Sequence, residues 1–599
     1  MKSYKNYISW PIVFAFILCF MAISGLDHAL AYTPPIGIPD PGMWGNTHPI
    51  DSPAPAKDTK CPNWPVAQTT NCYYIDNTHP QATDTGNIYG YPDKPRATIP
   101  SATYAAGAYI EVHGGPYNSA ATLTMNGTAE NPIWFRGESP TSKPVIRAKI
   151  LLSDSKYVII ENLEFNNFTG AAIRIGGMSA NNICVRNSSF HDLTYPGSPT
   201  SVIGSTPTQG GSIHDLVFYK NSFENIGNWQ TATDDDYHAI NPNLWGRTPP
   251  TTQYNIWVLN NFGYHISGNL AQFNGDQRDI EKAKIEGRTE TNLQNFHHMY
   301  VGFNYAHHNR QDLSVAKFTT DAIISQNVMH DNYSTSSSCG TGVVFQEGPN
   351  YVWIIFNKMY NMDFGVRQGN MYYDSFSDQK TFMVGNVIYN LYKNTKAYND
   401  ADRYKPAQGI SFEKGKHKRY LIDNTIYNVG GGINISTVLN TDLAIMSGNV
   451  IAGVYGIDDN GDTDHHISRI DTIGTVTVDY GFFQPRADNG NIQFYWAGVG
   501  KKLTLESFQV ASGQCLNCWS GDPKFLDPAK YNLKPAAGSP LIGKGIKHSV
   551  YNEFQVRYGL NIAYDVDGRT RPETGPWTLG AYEYSTIIPA PIIDLIAPK

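Results

Sequence analysis

The sequence predicts an all-β protein, a right-handed parallel β-helix with about ten or more coils. Three observations support this prediction: a short β-type run that recurs and ends in asparagine, no helical periodicity in the same region, and a composition suited to strands and turns. The chain has 599 residues, with 38 Tyr, 26 Phe and 54 Gly, and only 16% are charged. Aromatic residues favour strands and glycine favours turns, so this mixture is typical of a β protein with many turns.

The repeat defines the middle of the chain. Each copy is a short β-type run that ends in an asparagine, as in "WVLNNFGYHI" and "IIFNKMYNMD", and a second short strand follows in several copies. The shortest spacing between the asparagines, 23 to 25 residues, fits one coil of a parallel β-helix. Stacked coils would place the asparagines in a ladder, with each side-chain amide bonded to the next. The ladder is predicted from Asn162, Asn187, Asn221, Asn261, Asn304, Asn327, Asn357, Asn386, Asn424 and Asn449.

Longer spacings mark inserted loops. The coils that start at Asn187, Asn221, Asn261 and Asn386 have 34 to 43 residues, so they carry insertions of roughly 10 to 20 residues. Loops on a rigid scaffold are the usual place for binding sites. We therefore expect the three adjacent insertions between Asn187 and Asn304 to form one wall or lid of a binding groove.

Both ends of the sequence differ from the repeat. Residues 1–31 are typical of a secretory signal peptide, because Lys2 and Lys5 precede an apolar run and "ALA" before Tyr32 offers a cleavage site. An uncleaved membrane anchor is the alternative. Residues 32–100 are a Pro-rich N-terminal segment that leads into the helix, and residues 101–455 are its coils. Residues 456–584 are C-terminal coils with a closing cap, and residues 585–599 are a tail.

Cysteine spacing and net charge narrow the class further. In an exported protein the pairs Cys61/Cys72 and Cys515/Cys518 favour two local disulfides over redox or zinc sites. Cys184 and Cys339 are isolated, and we expect both to be buried. The net charge of -7 gives no basic surface for nucleic acid. The expected protein is therefore secreted, extracellular or periplasmic, monomeric, and without a membrane span after signal cleavage.

The repeats, the opening strand in "AYIEVHGGPY" and the closing "DVDGRTRP" and "LGAYEY" carry a family resemblance. Over about residues 70 to 584 the chain resembles the right-handed parallel β-helix superfamily, the pectate-lyase-like group of secreted polysaccharide-active proteins. That superfamily includes lyases, glycoside hydrolases, uronate epimerases, phage tailspikes and adhesins. The paired-Asp pattern of its polygalacturonase branch is missing from the sequence, and no lyase branch's metal and base motifs match cleanly.

The stretch "NRQDLSVAK", Asn309 to Lys317, places charges in a strand-like segment. Alternation along the strand predicts that Arg310, Asp312 and Ser314 face outward, while Leu313 and Val315 face the core. The same alternation, carried across neighbouring coils, predicts a charged outer column completed by Asp363, Arg367 and Glu347.

Such a column suits β-elimination at a uronic acid. In the related lyases a cation, commonly Ca²⁺, neutralises the sugar carboxylate, a basic side chain removes the C5 proton, and the 4-linked sugar leaves. We predict Lys317 as the base, with Arg310 and Arg367 as base or carboxylate clamp, and His298 as an alternative general base. The alternative is that these charges only form ion pairs between coils.

Further residues are predicted to bind substrate or metal. Aromatic side chains in the inserted loops can stack on sugar rings, or can simply pack the loops onto the coils. Clustered carboxylates suit Ca²⁺, although a solvated acidic loop is the alternative. The predicted substrate-binding residues are Asp312, Glu347, Asp363, Trp229, Tyr237, Trp245 and Tyr254, and the predicted metal ligands are Asp234, Asp235, Asp236, Asp276 and Asp279.

The sequence therefore predicts an exported protein that binds an acidic polysaccharide and cleaves it as a lyase. Two alternatives stay open. One is a glycoside hydrolase or uronate C5-epimerase that uses the same groove. The other is a non-catalytic adhesion protein of the cell surface.

Overall fold

A computed structural model describes residues 32–194, 197, 200–230, 236–247, 250–276, 295–332, 340–369, 379–392, 407–412, 417–436, 443–456 and 465–585. The chain forms a right-handed parallel β-helix, as predicted, with a 27-stranded sheet that is parallel except for one antiparallel strand pair and a 13-stranded parallel sheet. Each full coil supplies three strands, which stack into three surfaces that we call face 1, face 2 and face 3 in chain order. Among the described residues, no helix is long and apolar enough to cross a membrane.

Face 1 and face 2 belong to the same sheet, the larger one, because two long strands run through both faces. Face 1 consists of β2 (Thr103–Tyr104), β4 (Ala121–Met125), β7 (Ile150–Ser153), the first parts of β10 (Ile173–Arg186) and β12 (Thr200–Tyr219), β14 (Tyr237–Pro242), β17 (Ala271–Asn274), β20 (Ser314–Lys317), β23 (Thr341–Gln346), β26 (Phe364–Gln368), β29 (Gln408–Phe412), β32 (Gly431–Ile435), β35 (Ile467–Arg469) and β38 (Phe494–Trp496). Face 2 consists of β1 (Cys72–Asp76), β3 (Tyr109–His113), β5 (Ile133–Gly137), β8 (Lys156–Glu161), the second parts of β10 and β12, β15 (Thr252–Leu259), β18 (Phe296–Gly302), β21 (Thr320–Ser325), β24 (Asn350–Ile355), β27 (Lys380–Val384), β30 (Lys418–Ile422), β33 (Leu443–Ser447) and β36 (Thr475–Asp479).

Face 3 is the 13-stranded stack. It consists of β6 (Val145–Ile146), β9 (Glu164–Asn166), β11 (Ser189–Leu193), β13 (Ser222–Ile226), β16 (Phe262–Ile266), β19 (Tyr305–His307), β22 (Val328–His330), β25 (Lys358–Tyr360), β28 (Val387–Tyr389), β31 (Thr425–Val429), β34 (Val450–Val454), β37 (Phe482–Phe483) and β40 (Trp519–Ser520). The remaining elements are β39 (Gly500–Lys502), β41 (Phe525–Asp527), β42 (Asn532–Pro535), α1 (Lys57–Lys60), α2 (Leu505–Ser512), α3 (Ser549–Tyr558) and a 3₁₀ helix at Pro528–Lys530.

The core is built from columns of equivalent residues, because the in-register coils place like side chains above one another. On face 1, Ile150, Ile173, Ile203 and Ile240 pair in sequence, and each is at most 1% exposed. Burying one such side chain stabilises the fold by about 1.5–3 kcal/mol. A repeat rich in β-branched and aromatic residues therefore favours this fold, because stacking the coils buries those side chains in continuous columns.

The asparagine ladder is present and runs through eight coils. Its rungs are Asn221, Asn261, Asn304, Asn327, Asn357, Asn386, Asn424 and Asn449. The carboxamide oxygen of each rung accepts two bonds from the previous one. For example, Asn327 Oδ1 accepts the backbone N–H of Asn304 at 3.0 Å and its Nδ2–H at 2.9 Å. The ladder therefore satisfies buried polar groups at a turn where the strand hydrogen bonds stop.

Two of the predicted ladder residues lie outside it. Asn162 and Asn187 adopt φ of +58° and +52°, and the ladder positions beside them are taken by Leu163 and Ser188. The residue before a rung has this left-handed conformation in the other coils too, as at Gln326 with φ +54°. Asparagine tolerates that conformation better than most residues, so the same residue type marks both positions.

Segments from both terminal regions pack on face 2. Ser325 Oγ donates to the carbonyl oxygen of Ile36 at 2.7 Å, and Trp257 Nε1 donates to that of Pro39 at 2.9 Å. From the other end, Arg557 of α3 makes two bonds to Asp321, at 2.6 and 2.9 Å. Face 2 is therefore covered by the protein's own chain over these coils.

Both predicted disulfides are formed. Cys61 bonds to Cys72 and Cys515 bonds to Cys518, with Cα–Cα distances of 5.9 and 5.0 Å. Cys184 is a free, buried thiol, as expected. Cys339 lies outside the described residues.

We expect Asn327→Ala to lower the free energy of unfolding by about 2–4 kcal/mol, because it removes the three bonds that Asn327 Nδ2 donates and leaves two donors of Asn304 without this acceptor. Asn118→Ala is the control, since Asn118 is exposed and makes a single long bond. Chemical denaturation followed by circular dichroism measures both changes. Equal midpoints for the two variants would contradict a stabilising ladder.

Candidate functional site

Face 1 receives long connections along both of its edges. Residues 275–295 and 369–379 lead from face 1 to face 2, and residues 331–340 and 390–407 lead from face 3 to face 1. Connections of this length on a rigid scaffold usually carry function. Face 1 is therefore the candidate binding surface.

Strand register fixes which side chains face outward from face 1. The pairs Gln272–Val315, Val315–Val344 and Val344–Arg367 form one outward column. The pairs Ala271–Ser314, Ser314–Val343 and Val343–Val366 form the adjacent core-facing column. The core-facing assignment of Val315 and the outward assignment of Ser314 were therefore wrong.

A one-residue difference between coils explains the error. Val366 stands nine residues past Asn357 (366 − 357), whereas its partner position Ser314 stands ten residues past Asn304 (314 − 304). The extra residue shifts the side chains of that strand to the other side, because side chains alternate with a period of two. Arg310 is also not on an outer surface, since it is 0% exposed.

A charged cluster, only partly buried, lies near the point where the chain enters face 1. We call Asp236, Arg310, Gln311, Asp312 and Arg367 the Asp312 cluster. The Arg310 guanidinium bonds to the Asp236 carboxylate, and its Nε donates to the carbonyl oxygen of Ser267 at 2.6 Å. Gln311 Nε2 donates to the same Asp236 carboxylate. Arg310 therefore holds Asp236 in place and is not an exposed base or clamp.

Asp312 has an unusual environment within this cluster. It is 7% exposed, and its Oδ1 has no hydrogen-bond partner among the described residues. Burial raises the pKa of Asp312 to about 8, with Arg367 and a hydrogen bond from Thr341 lowering it and the Asp236 charge raising it. A carboxyl with this pKa carries a proton at neutral pH and can donate it.

Arg367 and Asp363 have different positions in the coil of β26. Arg367 faces outward, and its guanidinium carbon lies 5.6 Å from the ring centroid of Phe364. The Arg367 charge lowers the pKa of Asp312. Asp363 is 2% exposed, and its backbone carbonyl accepts bonds from Ala407 and Gln408 of the next coil. Arg367 is therefore placed to meet a ligand, while Asp363 joins two coils.

Lys317 and Glu347 lie at the opposite end of the face-1 strands. Lys317 pairs with Gln346, which precedes Glu347, and burial raises the Glu347 pKa while the Lys317 charge lowers it. Ser314 and Lys317 are the two ends of β20, about 10 Å apart, and Asp312 lies two residues before that strand. The structure therefore does not bring the predicted base together with Arg310 and Asp312.

Two other predicted residues lie on face 2. His298 is in β18 with φ +59°; its Nδ1 bonds to His297, and burial lowers its pKa. Tyr254 stacks between His214 and His297, with ring centroids 4.7 and 5.0 Å away. Neither side chain reaches the outward column of face 1.

The predicted aromatic residues separate into packing and exposed groups. Tyr237 is 0% exposed, and its hydroxyl donates to the carbonyl oxygen of Gly170, so it cannot stack on a sugar. Trp229 stacks on His265 at the edge of face 3, with centroids 3.7 Å apart. Trp245 is 55% exposed just after β14 on face 1, where its backbone N–H bonds to Asn243. Of these, Trp245 is the one placed to contact a ligand on face 1.

The predicted calcium ligands are only partly described. Asp236 is engaged by Arg310 and Gln311, and Asp276 Oδ2 accepts the Gly246 N–H at 2.6 Å. Asp234, Asp235 and Asp279 lie outside the described residues. In the part of the chain that the structure describes, no group of three or more His, Cys, Asp or Glu residues is arranged to hold a metal. Calcium binding stays a prediction.

The chain is similar in structure, but not in sequence, to known proteins. No family model and no curated protein sequence matches the chain. Among solved structures it is similar to the GH136 lacto-N-biosidase from Eubacterium ramulus, with 12% identity over 68% of each chain and a TM-score of 0.37. It is also similar to a PL6 family alginate lyase, with 14% identity over 69% of this chain and 54% of that chain and a TM-score of 0.39. A third is the A-module of a mannuronan C-5 epimerase from Azotobacter vinelandii, with 13% identity over 62% and 91% of the chains and a TM-score of 0.34. At these identities and scores, the likeness assigns no activity to this chain.

Asp312 should make stability depend on pH. Its raised folded-state pKa means that folding binds a proton between about pH 4, where the unfolded carboxyl titrates, and about pH 8. The stabilising contribution is complete below pH 4 and is lost as the pH rises towards 8. Asp312→Asn, which is neutral at every pH, should flatten this decline, while Asp58→Asn on the surface should keep the wild-type profile. Denaturation midpoints between pH 4 and 9 measure the effect, and parallel profiles for wild type and Asp312→Asn would refute the assignment.

Proposed function

We propose that the protein cleaves a polysaccharide that lies along face 1, and that it does so by acid-catalysed hydrolysis of a glycosidic bond. The observation that carries this proposal is Asp312, a buried carboxyl whose Oδ1 has no hydrogen-bond partner among the described residues, near a second carboxyl group, Asp236; burial raises the pKa of Asp312 to about 8. Pairs of carboxyl groups whose environments separate their protonation states are the typical machinery of glycoside hydrolysis.

Each residue of the cluster has a defined part in this reaction. Asp312 donates its proton to the glycosidic oxygen as the bond from that oxygen to the anomeric carbon breaks. Water attacks the anomeric carbon and gives its proton to Asp236, so that one carboxyl loses a proton and the other gains one. Arg310 and Gln311 hold the Asp236 carboxylate in position. Arg367, outward and beside Asp312, suits an acidic group on the sugar.

The exposed Trp245 ring supports a carbohydrate ligand, because the flat face of an indole packs against the apolar face of a sugar ring. It follows β14, at the end of the face-1 strands where Lys317 lies, because Asn243 bridges to Asn274 and Asn274 pairs with Lys317. We therefore expect Trp245→Ala to raise KM and to change kcat little. Trp229→Ala, which removes a ring stacked off face 1, is the matched control.

The first test is a panel of polysaccharides assayed for new reducing ends. Purified protein is mixed with pectate, alginate, chondroitin, hyaluronan and a gellan-type polymer, with and without Ca²⁺. We expect Asp312→Asn to lower kcat by at least about 10²-fold, the usual contribution of a general acid, without loss of folding. An Asp312→Asn enzyme with full activity would reject this mechanism. Activity that needs Ca²⁺ would support the calcium prediction.

The pH profile tests the protonation state directly. If Asp312 is the proton donor, kcat/KM falls as the pH rises through about 8, since the deprotonated carboxylate cannot protonate the leaving oxygen. The descending limb should be lost in the residual activity of Asp312→Asn. A profile that rises through the same range would contradict the role of proton donor.

A rising profile would instead support the second candidate function, β-elimination on a uronate-containing glycan. The observation that favours it is the cation of Arg367 beside Asp312, because a guanidinium that pairs with a uronate carboxylate makes the neighbouring C5 proton more acidic. Asp312 would then act as the base in its ionised form. Ultraviolet absorbance of the unsaturated product distinguishes the two reactions, since hydrolysis forms new reducing ends without it. Loss of that absorbance in Lys317→Ala, with folding retained, would restore Lys317 as the base.

A further inference from the structure

A second column of side chains points outward from face 1, nearer the turn that leads to face 2. Its members stand two residues past those of the outward column, so strand alternation gives them the same direction. Every member is partly exposed, whereas the outward column beside it is buried from Gln272 to Val344. We call this open row the edge column, and it consists of Ser153, Gly176, Thr206, Asn243, Asn274, Lys317 and Gln346.

The edge column offers hydrogen-bonding groups that are available to a ligand. Among the described residues, the side chains of Thr206, Asn274, Lys317 and Gln346 make no hydrogen bond or ion pair. Hydroxyl and amide groups both donate and accept, as the hydroxyl groups of a sugar do. A glycan that lies along the edge column can therefore form hydrogen bonds at successive coils.

Two large apolar side chains are exposed beside the edge column. Met178 is 52% exposed and Trp245 is 55% exposed, and they stand two residues past Gly176 and Asn243. The Trp245 backbone N–H donates to Asn243 Oδ1 at 2.6 Å, which fixes the turn that carries the indole. Indole and thioether groups pack against the apolar faces of rings. Polar groups with exposed apolar groups beside them suit the two kinds of surface that a sugar has.

The charges at this edge offset each other. Lys317 is the one ionisable member of the edge column, and Glu347 follows its strand partner Gln346. Burial raises the Glu347 pKa and the Lys317 charge lowers it, so the two charged groups are close enough to interact. A polyanion would meet this carboxylate and a row of neutral groups, and it would lose water there without gaining cations. The edge column is therefore matched to an uncharged chain.

We propose that the edge column binds a neutral polysaccharide that runs along the solenoid, with Trp245 and Met178 against its sugar rings. Four strand steps separate Thr206 from Gln346, or about 19 Å at the usual strand spacing. One step is about the length of one sugar, so this part of the column contacts about five consecutive sugars. The site goes beyond the proposed cleavage and does not rest on it, because it uses neither Asp312 nor Asp236.

Gly176 provides a way to block the edge column while keeping the fold. A Cβ atom at this position would lie 3.6 Å from the Thr206 carbonyl oxygen and 4.0 Å from Leu151 Cδ1, which are ordinary contact distances. A side chain added there would point outward with the rest of the edge column. Gly176→Trp should therefore fill the space over one coil without displacing the backbone.

Binding is measured by calorimetry on the full chain with Asp312→Asn, so that a cleavable glycan stays intact. Four neutral series are titrated, β-linked oligomers of xylose, mannose, glucose and galactose, beside oligogalacturonates and oligoalginates of the same lengths. We expect at least one neutral series to bind, with an affinity that rises up to about five sugars. The acidic series should bind more weakly. Raising NaCl from about 0.05 to about 0.5 M should change the neutral affinity less than about twofold, since an uncharged ligand has no charge to screen.

Three variants then locate the site. Trp245→Ala should weaken the neutral oligomers about tenfold and Asn274→Ala about threefold, because each removes one contact with the sugars. Gly176→Trp should weaken only oligomers that are long enough to extend past Thr206. The control is Ala511→Trp, which adds the same ring at an exposed position of α2 and should change no series. Denaturation midpoints check that every variant is folded.

The outcomes separate this inference from the proposed function. The inference is overturned if all four neutral series fail to bind, if the acidic series bind more tightly, or if Trp245→Ala and Asn274→Ala both leave neutral binding unchanged. Cleavage at Asp312 could still stand in each of these cases. Neutral binding that the variants weaken, together with no cleavage of any polymer by wild type, would support the edge column and reject the catalytic proposal.

Discussion

Every other feature of this protein depends on pairing the backbone polar groups of successive coils in register. Every strand inside a parallel stack is paired on both sides. Each turn, however, interrupts the hydrogen bonds between strands, and the interruption occurs at the equivalent position in every coil. The asparagine ladder resolves that interruption at one corner, because a single carboxamide both donates and accepts along the stack. Once the coils are locked at this corner, equivalent residues align on all three faces. The hydrophobic columns and the outward column of face 1 are both consequences of that alignment.

The fold was predictable from the sequence because its determinants are local and repeated. Strand, asparagine and strand recur often enough that the coil length can be read directly, and neither the ladder nor the two disulfides needed long-range information. The two mistaken ladder residues, Asn162 and Asn187, show the limit of this reasoning. Asparagine suits both the ladder position and the left-handed residue before it, so residue type alone could not separate neighbouring positions.

The site was harder to predict because the number of residues between the ladder asparagine and the face-1 strand differs from coil to coil. One extra residue between Asn304 and β20 was enough to exchange the inward and outward side chains of that strand. Arg310 and Asp236 are 74 positions apart in the sequence, and no repeated spacing predicts that they are in contact. Burial of Asp312 is also a tertiary property, since the sequence around it looks like the charged edge of a strand. The stretch from Asn309 to Lys317 did point to the correct coil, but it grouped Arg310 and Lys317, which lie at opposite ends.

The coverage of face 2 changes what kind of repeat protein this is. A stack in which each coil touches only its neighbours can be lengthened, shortened or unravelled from an end. Here Gly37 packs so closely against α3 that a Cβ would lie 2.9 Å from the Phe554 ring, and both segments rest on central coils. The N-terminal segment around Gly37 and α3 thus pack against each other and on the same coils, and we call this contact the clasp. Unfolding from either end must break the clasp, so the coils beneath it unfold together as one cooperative unit. During synthesis the clasp cannot form until α3 has been made.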